Sequence, residues 1–184
     1  PDSFASPATQ AEVEAMVTSV NAAQTVLAQI GNEADNPDTV SSIVTAAELG
    51  AITPSLSGLN AAYETAYQDY IDANPDSFAS PATQAEVQAM VNAVTISQTV
   101  LAQIGNEADN PDTVNSAVTA AGLGVITPPL AGLDAANETA YQDYIDANPD
   151  SFSSPATQAE VEAMVTSVNA AQAVLAQIGS EADN

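Results

Sequence analysis

The chain repeats itself with a period of 74 residues, and this repeat constrains its fold more than any other feature. The tetrapeptide PDSF at residues 1–4 recurs at residues 75–78 and at residues 149–152. Residues 1–74 and 75–148 are identical at 60 of 74 positions. The chain therefore holds two full periods and half of a third, and we interpret it as a slice of a longer tandem array.

Each period is predicted to contain three helices and no strand, because no segment shows the strict alternation of a strand. The three helices are predicted at residues 7–34, 38–49 and 54–72, with copies one period later. Along the first of them, apolar or small residues recur at alternating steps of three and four, which places them on one helix face. That face comprises Val13, Met16, Val20, Ala23, Leu27, Ile30 and Ala34, and its copy comprises Val87, Met90, Val94, Ser97, Leu101, Ile104 and Ala108.

Proline and glycine mark the predicted ends of these helices. Ser6-Pro7, Asn36-Pro37 and Thr53-Pro54 each place an oxygen-bearing cap before a proline at the first helical position. A second start is possible for the first helix, since residues 9–12 have the pattern of a capping box.

The second helix is predicted to end at Gly50 in the left-handed conformation, and Gly58 lies inside the third as a weak point. The third helix is predicted to stop before Asn74-Pro75, because the residue before a proline disfavours helix. The predicted fold class is all-α, with tandem three-helix-bundle repeats of 74 residues arranged as an elongated rod.

The charge of the chain excludes several classes of function. The sequence has 24 Asp and Glu residues, no Lys, Arg, His, Cys or Trp, and a formal net charge of -24. Nucleic-acid phosphates and anionic lipid headgroups therefore have nothing to bind. Without His, Cys or Lys, the common catalytic nucleophiles and bases are absent, and so are the ligands of structural zinc. We predict that the chain is not an enzyme.

Carboxylates and amides leave calcium as the one metal to consider. Asp72, Asn74 and Asp76 place oxygens at positions 1, 3 and 5 of a calcium-loop pattern, and Asp146, Asn148 and Asp150 repeat them. The pattern then departs from a calcium loop, with Ser77 at position 6 and Thr83 at position 12. Two interpretations stay open: a helix end with an Asn-Pro turn, which we favour, and a weak calcium site. The predicted cofactor is accordingly none, with calcium as the alternative.

A second acidic segment lies at residues 32–38 and is copied at residues 106–112. Here too a solvated turn is the favoured interpretation, and capture of calcium at the helix corner is the alternative. Glu33, Asp35, Asp69 and Asp72 lie near the C-terminal ends of predicted helices, where their charge opposes the helix dipole. We therefore expect salt or a bound cation to neutralise these ends.

Tyrosines form the only concentrated aromatic feature. Spacings of three and four on one predicted helix favour the core or its edge over a strip that binds sugar or peptide. The residues concerned are Tyr63, Tyr67, Tyr70, Tyr141 and Tyr144.

Residues 46–54 (AAELGAITP) and 82–91 (ATQAEVQAMV), with their copies, carry a resemblance to known repeats. In their order of short helix, turn, helix and long helix, they resemble the three-helix GA-like and FIVAR-like repeats of very large bacterial cell-surface proteins. The resemblance implies modules at residues 37–110 and 111–184, with residues 1–36 as the last helix of a preceding module. Some GA modules bind serum albumin, but those are rich in lysine, so that activity is not carried over to this chain.

Such repeats are typically extracellular spacers or adhesive segments of giant adhesins. The resemblance therefore implies a monomeric structural spacer at the bacterial cell surface that projects a distal domain, with neighbouring repeats of the same chain as its partners. Two alternatives remain: a module that docks a host protein or a glycan through a helix face, and a calcium-binding repeat.

Overall fold

In a computed structural model of the chain, residues 6–35, 44–109 and 118–182 are described. Within these ranges the regular structure is helical and no residue lies in a strand, which confirms the all-α prediction. The α-helices are α1 (Gln10–Asp35), α2 (Ala46–Leu49), α3 (Glu64–Ala73), α4 (Gln84–Asp109), α5 (Ala120–Leu123), α6 (Glu138–Ala147) and α7 (Gln158–Ala182). Short 3-10 helices lie at Ala61–Tyr63, Pro75–Ser77, Ala135–Asn137 and Pro149–Ser151.

The chain divides into two compact units, Pro1–Thr95 and Ile96–Asn184, which we call the first and second units. The division falls inside α4, whose N-terminal half belongs to the first unit and whose C-terminal half belongs to the second. The phasing implied by the resemblance, with modules at residues 37–110 and 111–184, stays a prediction.

Each unit has its own apolar core, built from equivalent elements. In the first unit the C-terminal half of α1, α2, α3 and the N-terminal half of α4 contribute to one core. In the second unit the C-terminal half of α4, α5, α6 and the N-terminal half of α7 do the same. The largest fully buried side chains include Tyr67, Ile71 and Met90 in the first core, and Tyr141, Ile145 and Met164 at the equivalent positions of the second.

Helix α3 fixes the short helix α2 through two polar side chains one turn apart. Glu64 Oε2 accepts a hydrogen bond from the backbone N–H of Ala46 at the N-terminus of α2, at 2.8 Å. The amide of Gln68 donates to the backbone carbonyl of Val44 at 3.1 Å. Glu138 repeats the first contact in the second unit, with Ala120 N at 2.7 Å. The bonds to Ala46 and Ala120 satisfy N–H groups that a one-turn helix cannot pair internally, and the bond to Val44 holds the residue that precedes the cap of α2.

The long helices begin at the capping box, and the predicted starts at the Ser-Pro dipeptides were wrong. The backbone N–H of Thr9 donates to Glu12 Oε2 at 2.7 Å, while Glu12 N donates to Thr9 Oγ1 at 3.3 Å. Thr83 and Glu86 make the same pair of bonds before α4. Because this box satisfies the first orphan donors, helix α1 begins at Gln10 and residues 7–9 precede it.

The second helix is shorter than predicted. Thr45 is extended, and its side chain caps α2 by accepting a hydrogen bond from Glu48 N, so Val44 and Thr45 precede the helix. Residues 38–43 and the predicted start at Asn36-Pro37 lie outside the described residues. The left-handed prediction for Gly50 was also wrong, because its φ is -66°. Right-handed turn bonds continue beyond it, with Ala51 N donating to Glu48 O at 2.9 Å.

The third helix begins ten residues later than predicted. Residues 54–60 are not helical, since Gly58 has a φ of 76°, which a right-handed helix does not contain. The side chain of Asn60 then caps the 3-10 helix Ala61–Tyr63, which leads into α3. The predicted stop is confirmed, since α3 ends at Ala73 and Asn74 follows as its cap.

The predicted apolar face is buried along the whole of α4 but along only half of α1. All seven predicted residues of the α4 face are buried, including Ser97. In α1, Ala23, Leu27, Ile30 and Ala34 are buried, whereas Val13, Met16 and Val20 of the same face are 42–44% exposed. The reason is that, within the described residues, α2 and α3 cover only the C-terminal half of α1.

Among the helices of the described residues, none combines the length and the apolar character needed to span a membrane.

Candidate functional site

The predicted calcium residues lie at the end of α3 and in the turn after it. Asp72 belongs to the last turn of α3, Asn74 is the residue that caps this helix, and Asp76 is exposed on the following 3-10 helix. The side-chain amide of Asn74 donates to the backbone carbonyl of Tyr70 at 2.8 Å. This bond is the one expected where an asparagine closes a helix end.

The copy in the second unit has the same geometry. Asn148 donates its amide to the carbonyl of Tyr144 at 2.8 Å, Asp146 lies on the last turn of α6, and Asp150 is exposed. Across residues 6–35, 44–109 and 118–182, no group of three or more carboxylates is placed to hold a metal ion. Calcium binding at Asp72, Asn74 and Asp76 and at their copies stays a prediction.

The structure brings together two acidic segments that the sequence keeps apart. Glu33, on the last turns of α1, lies close enough to Asp72 of α3 to feel its charge. Burial, and then the negative charge of Asp72, raise the pKa of Glu33 above its ordinary value. Burial and the charge of Asp72 likewise raise the pKa of Asp69. The ends of two helices thus place carboxylates side by side, where the helix dipoles also disfavour their charge.

The equivalent carboxylates of the second unit also have buried oxygens. The oxygens Glu107 Oε1 and Asp146 Oδ1 are buried and accept no hydrogen bond, and Glu33 Oε1 in the first unit is in the same state. For Glu33, burial without a compensating hydrogen-bond donor agrees with its raised pKa. Of the second predicted acidic segment, residues 36–38 and 110–112 lie outside the described residues.

The tyrosines support the core rather than a binding strip. Tyr67 and Tyr141 are fully buried, and their hydroxyl groups accept hydrogen bonds from Asn60 N at 3.0 Å and Asp134 N at 3.1 Å. Tyr70 packs edge-on against Phe78 with ring centroids 6.2 Å apart. The core interpretation is therefore confirmed for Tyr67 and Tyr141.

A contact that the sequence did not predict joins the proline-containing loop before α4 to the C-terminal half of α1. We call residues 79–82 the proline loop, and we call Leu27 together with Gly31 the glycine socket. Ala82 N donates to the carbonyl of Leu27 at 3.0 Å. A Cβ atom added to Gly31 would lie 2.8 Å from Ala79 O and 2.9 Å from Ser80 Cα, closer than real Cβ contacts. Only glycine allows the loop backbone to approach this helix so closely.

The second unit repeats the socket at Leu101 and Gly105, with residues 153–156 as its proline loop. Ala156 N donates to the carbonyl of Leu101 at 3.0 Å. A Cβ on Gly105 would lie 2.7 Å from Ser153 O. The signal in the sequence was a glycine retained within a long helix, where alanine is favoured by about 1 kcal/mol.

Comparison with known proteins identifies no relative. No protein family, curated protein or solved structure matches this chain.

Proposed function

We propose that this chain is a structural spacer, built from tandem helical repeats of a large bacterial extracellular adhesin, and that it projects a distal domain from the cell surface. It has no enzymatic role. The observation that best supports the proposal is that α4 contributes to two cores, with Val94 in the first and Leu101 in the second. Successive units are thus joined through a helix rather than through a separate linker.

A helix that contributes to two successive cores suits a spacer built from tandem repeats. In a tandem array each unit would contact only its neighbours, so stability and length would both grow with repeat number. The proposed arrangement is an elongated rod of 74-residue repeats. Its partners are the neighbouring repeats of the same chain, and each unit takes one half of a long helix from each of two periods.

The charge supports the same proposal. A net charge of -24 without one cationic side chain makes rods of this sequence repel one another. The spacer is accordingly proposed to be monomeric, extracellular and located at the bacterial surface. Repulsion between like-charged repeats also favours extension over collapse of a long array.

Small-angle X-ray scattering tests the proposal, comparing the 184-residue chain with a chain extended by one 74-residue period. A compact particle of 184 residues has a radius of gyration of about 16 Å. We expect a larger value and a maximum dimension that increases with the added period. A compact particle at both lengths would contradict the spacer. Repeating the measurement with calcium and then with chelator tests the calcium alternative, because a rod seen only with calcium would make the acidic helix ends its ligands.

A further inference from the structure

The C-terminal half of α7 carries a third copy of the glycine socket. The sequence VLAQIG occurs at residues 26–31, 100–105 and 174–179, so Leu175 and Gly179 correspond to Leu27 and Gly31. In the first two copies the apolar residues of this segment are buried. In the third, Val174 is 52% exposed, and Leu175 and Ile178 are each 59% exposed. Three large apolar side chains on one helix half are thus left in contact with solvent.

Gly179 differs from its two counterparts in what surrounds it. A Cβ atom on Gly31 or Gly105 would lie under 3.0 Å from backbone atoms of a proline loop, whereas a Cβ on Gly179 meets nothing within 4 Å. A glycine inside a helix is unfavourable relative to alanine, and in the first two copies the close loop explains it. The third copy has the glycine without the loop.

We propose that the C-terminal half of α7 is a docking site for a further repeat, occupied by a segment with the sequence of residues 44–82. The inference deepens the proposed spacer function and depends on it. In the first unit this segment supplies α2, α3 and the proline loop, which together cover the equivalent half of α1. On α7, the proline loop would donate its final alanine N–H to the carbonyl of Leu175 and place its backbone over Gly179.

The opposite end of the chain exposes the complementary surface. Val13, Met16, Val17 and Val20 on the N-terminal half of α1 are 42–47% exposed, while the equivalent residues of α4 and α7 are buried. Ala8 is exposed as well, although its counterparts Ala82 and Ala156 are buried in proline loops. The N-terminal half of α1 and the loop that contains Ala8 are therefore exposed at the N-terminal end of the chain. A further repeat would bring a helix half and a proline loop of the same kind to α7.

The occupant fits the site chemically. In both units the glycine lies against the backbone of the proline loop, one backbone hydrogen bond joins that loop to a helix carbonyl, and the large apolar side chains beside the glycine are buried. A chain without cationic side chains cannot join its repeats through ion pairs, and its carboxylates repel one another, so apolar contacts and backbone hydrogen bonds suit this junction.

The test uses the same substitution in two chains. One is the 184-residue chain, and the other carries the sequence of residues 37–110 appended after Asn184, which preserves the phase of the repeat. In the 184-residue chain, Gly179→Ala is expected to leave the melting temperature unchanged or raise it slightly, because the methyl group enters open space. In the extended chain the same substitution is expected to lower the melting temperature of the added unit, because the methyl group would collide with the docked proline loop.

Gly105→Ala is the matched control, expected to lower the melting temperature of the second unit in both chains. Amide hydrogen exchange across residues 174–179 provides a second measurement, with protection expected to rise to the level of residues 100–105 on extension. Unchanged exchange, or a Gly179→Ala substitution that is neutral in the extended chain, would overturn the docking site.

The scattering experiment separates this failure from failure of the spacer. An extended chain that lengthens while Gly179→Ala stays neutral would overturn the docking and leave the spacer supported. An extended chain that becomes sensitive to Gly179→Ala but forms a compact particle would support the docking and contradict the spacer.

Discussion

Helices α4 and α7 contain the same hexapeptide, VLAQIG, in two different environments. At residues 100–105 of α4 it packs into the core of the second unit, and at residues 174–179 of α7 its apolar side chains are exposed. The helix persists in both places, since capping and intrahelical hydrogen bonds act locally. Burial in this chain is therefore set by the elements that pack on each half of a helix, and not by the sequence of the helix itself.

The largest expected effect comes from truncating the same isoleucine in both environments. Ile104→Ala removes a fully buried side chain from the second core and should destabilise the second unit by about 2–5 kcal/mol. Ile178→Ala removes a side chain that is 59% exposed and should change stability by less than about 0.5 kcal/mol. Urea unfolding of the two variants measures the difference.

Ile30→Ala is the internal check on this prediction, because Ile30 is the fully buried counterpart in the first unit. It should resemble Ile104→Ala in magnitude while affecting the first unit. Equal losses for Ile104→Ala and Ile178→Ala would mean that the C-terminal half of α7 is buried.

Loss of a helix cap should distinguish the buried start of α4 from the exposed start of α1. Thr83→Ala removes the cap of α4 next to Val87 and Met90 of the first core, at an expected loss of about 1 kcal/mol. Thr9→Ala removes the same cap from the exposed half of α1, so local fraying should replace a loss of global stability. Chemical denaturation combined with hydrogen exchange of α1 and α4 distinguishes local fraying from a loss of global stability. A loss of global stability for Thr9→Ala would contradict the exposure of this half of α1.

A smaller effect is expected where the two units differ in a single buried residue. Ser97 of α4 is buried and accepts a hydrogen bond from the backbone N–H of Thr127 at 3.1 Å, whereas the first unit has Ala23 at the same position. Ser97→Ala should destabilise the second unit by about 1 kcal/mol, because a half-buried donor loses its acceptor. The reciprocal Ala23→Ser is the control, and thermal unfolding of both variants is the measurement. A neutral Ser97→Ala would show that water replaces the hydroxyl group at no cost.

The smallest expected effect is electrostatic and depends on pH. Because burial and Asp72 raise the pKa of Glu33, the folded first unit binds the Glu33 proton more tightly than the unfolded chain does. Its stability therefore falls as the pH rises from the ordinary value of 4.5 through the raised pKa, and stays lower above it. Glu33→Gln should raise the melting temperature slightly at pH 7 and leave it unchanged at about pH 3, where the carboxyl group is protonated.

Glu14→Gln, at an exposed position on α1, controls for the change in net charge. A rise of equal size for Glu14→Gln would assign the effect to net charge rather than to the meeting of Glu33 and Asp72.

Local signals in the sequence predicted the parts of the fold that depend on neighbouring residues. The Thr9–Glu12 box, the helix stop at Asn74 and the apolar face of α4 each involve groups within a few turns of one another. The start of α3 was wrong because Thr53-Pro54 has the composition of a helix start, whereas the positive φ of Gly58 delays the helix until Asn60 caps it. Composition alone does not distinguish these two conformations.

The parts that could not be predicted depend on groups brought together by tertiary packing. The position of Gly31 has a physical reason only once residues 79–82 lie against it, and the pKa of Glu33 is raised only once packing buries its carboxyl group and brings Asp72 beside it. Periodicity likewise placed Val13, Met16 and Val20 on the apolar face of α1, but it could not show which part of that face other helices cover. The calcium prediction at Asp72, Asn74 and Asp76 remains open for the same reason, since ligands of a metal must converge in space.

Amide hydrogen exchange along the three long helices tests most directly the claim that each long helix is divided between neighbouring repeats. We expect slow exchange through both halves of α4, slow exchange in α1 only from about Ala23 onward, and slow exchange in α7 only as far as about Val168. Uniform protection along all three helices, or an α4 protected in one half alone, would contradict that claim.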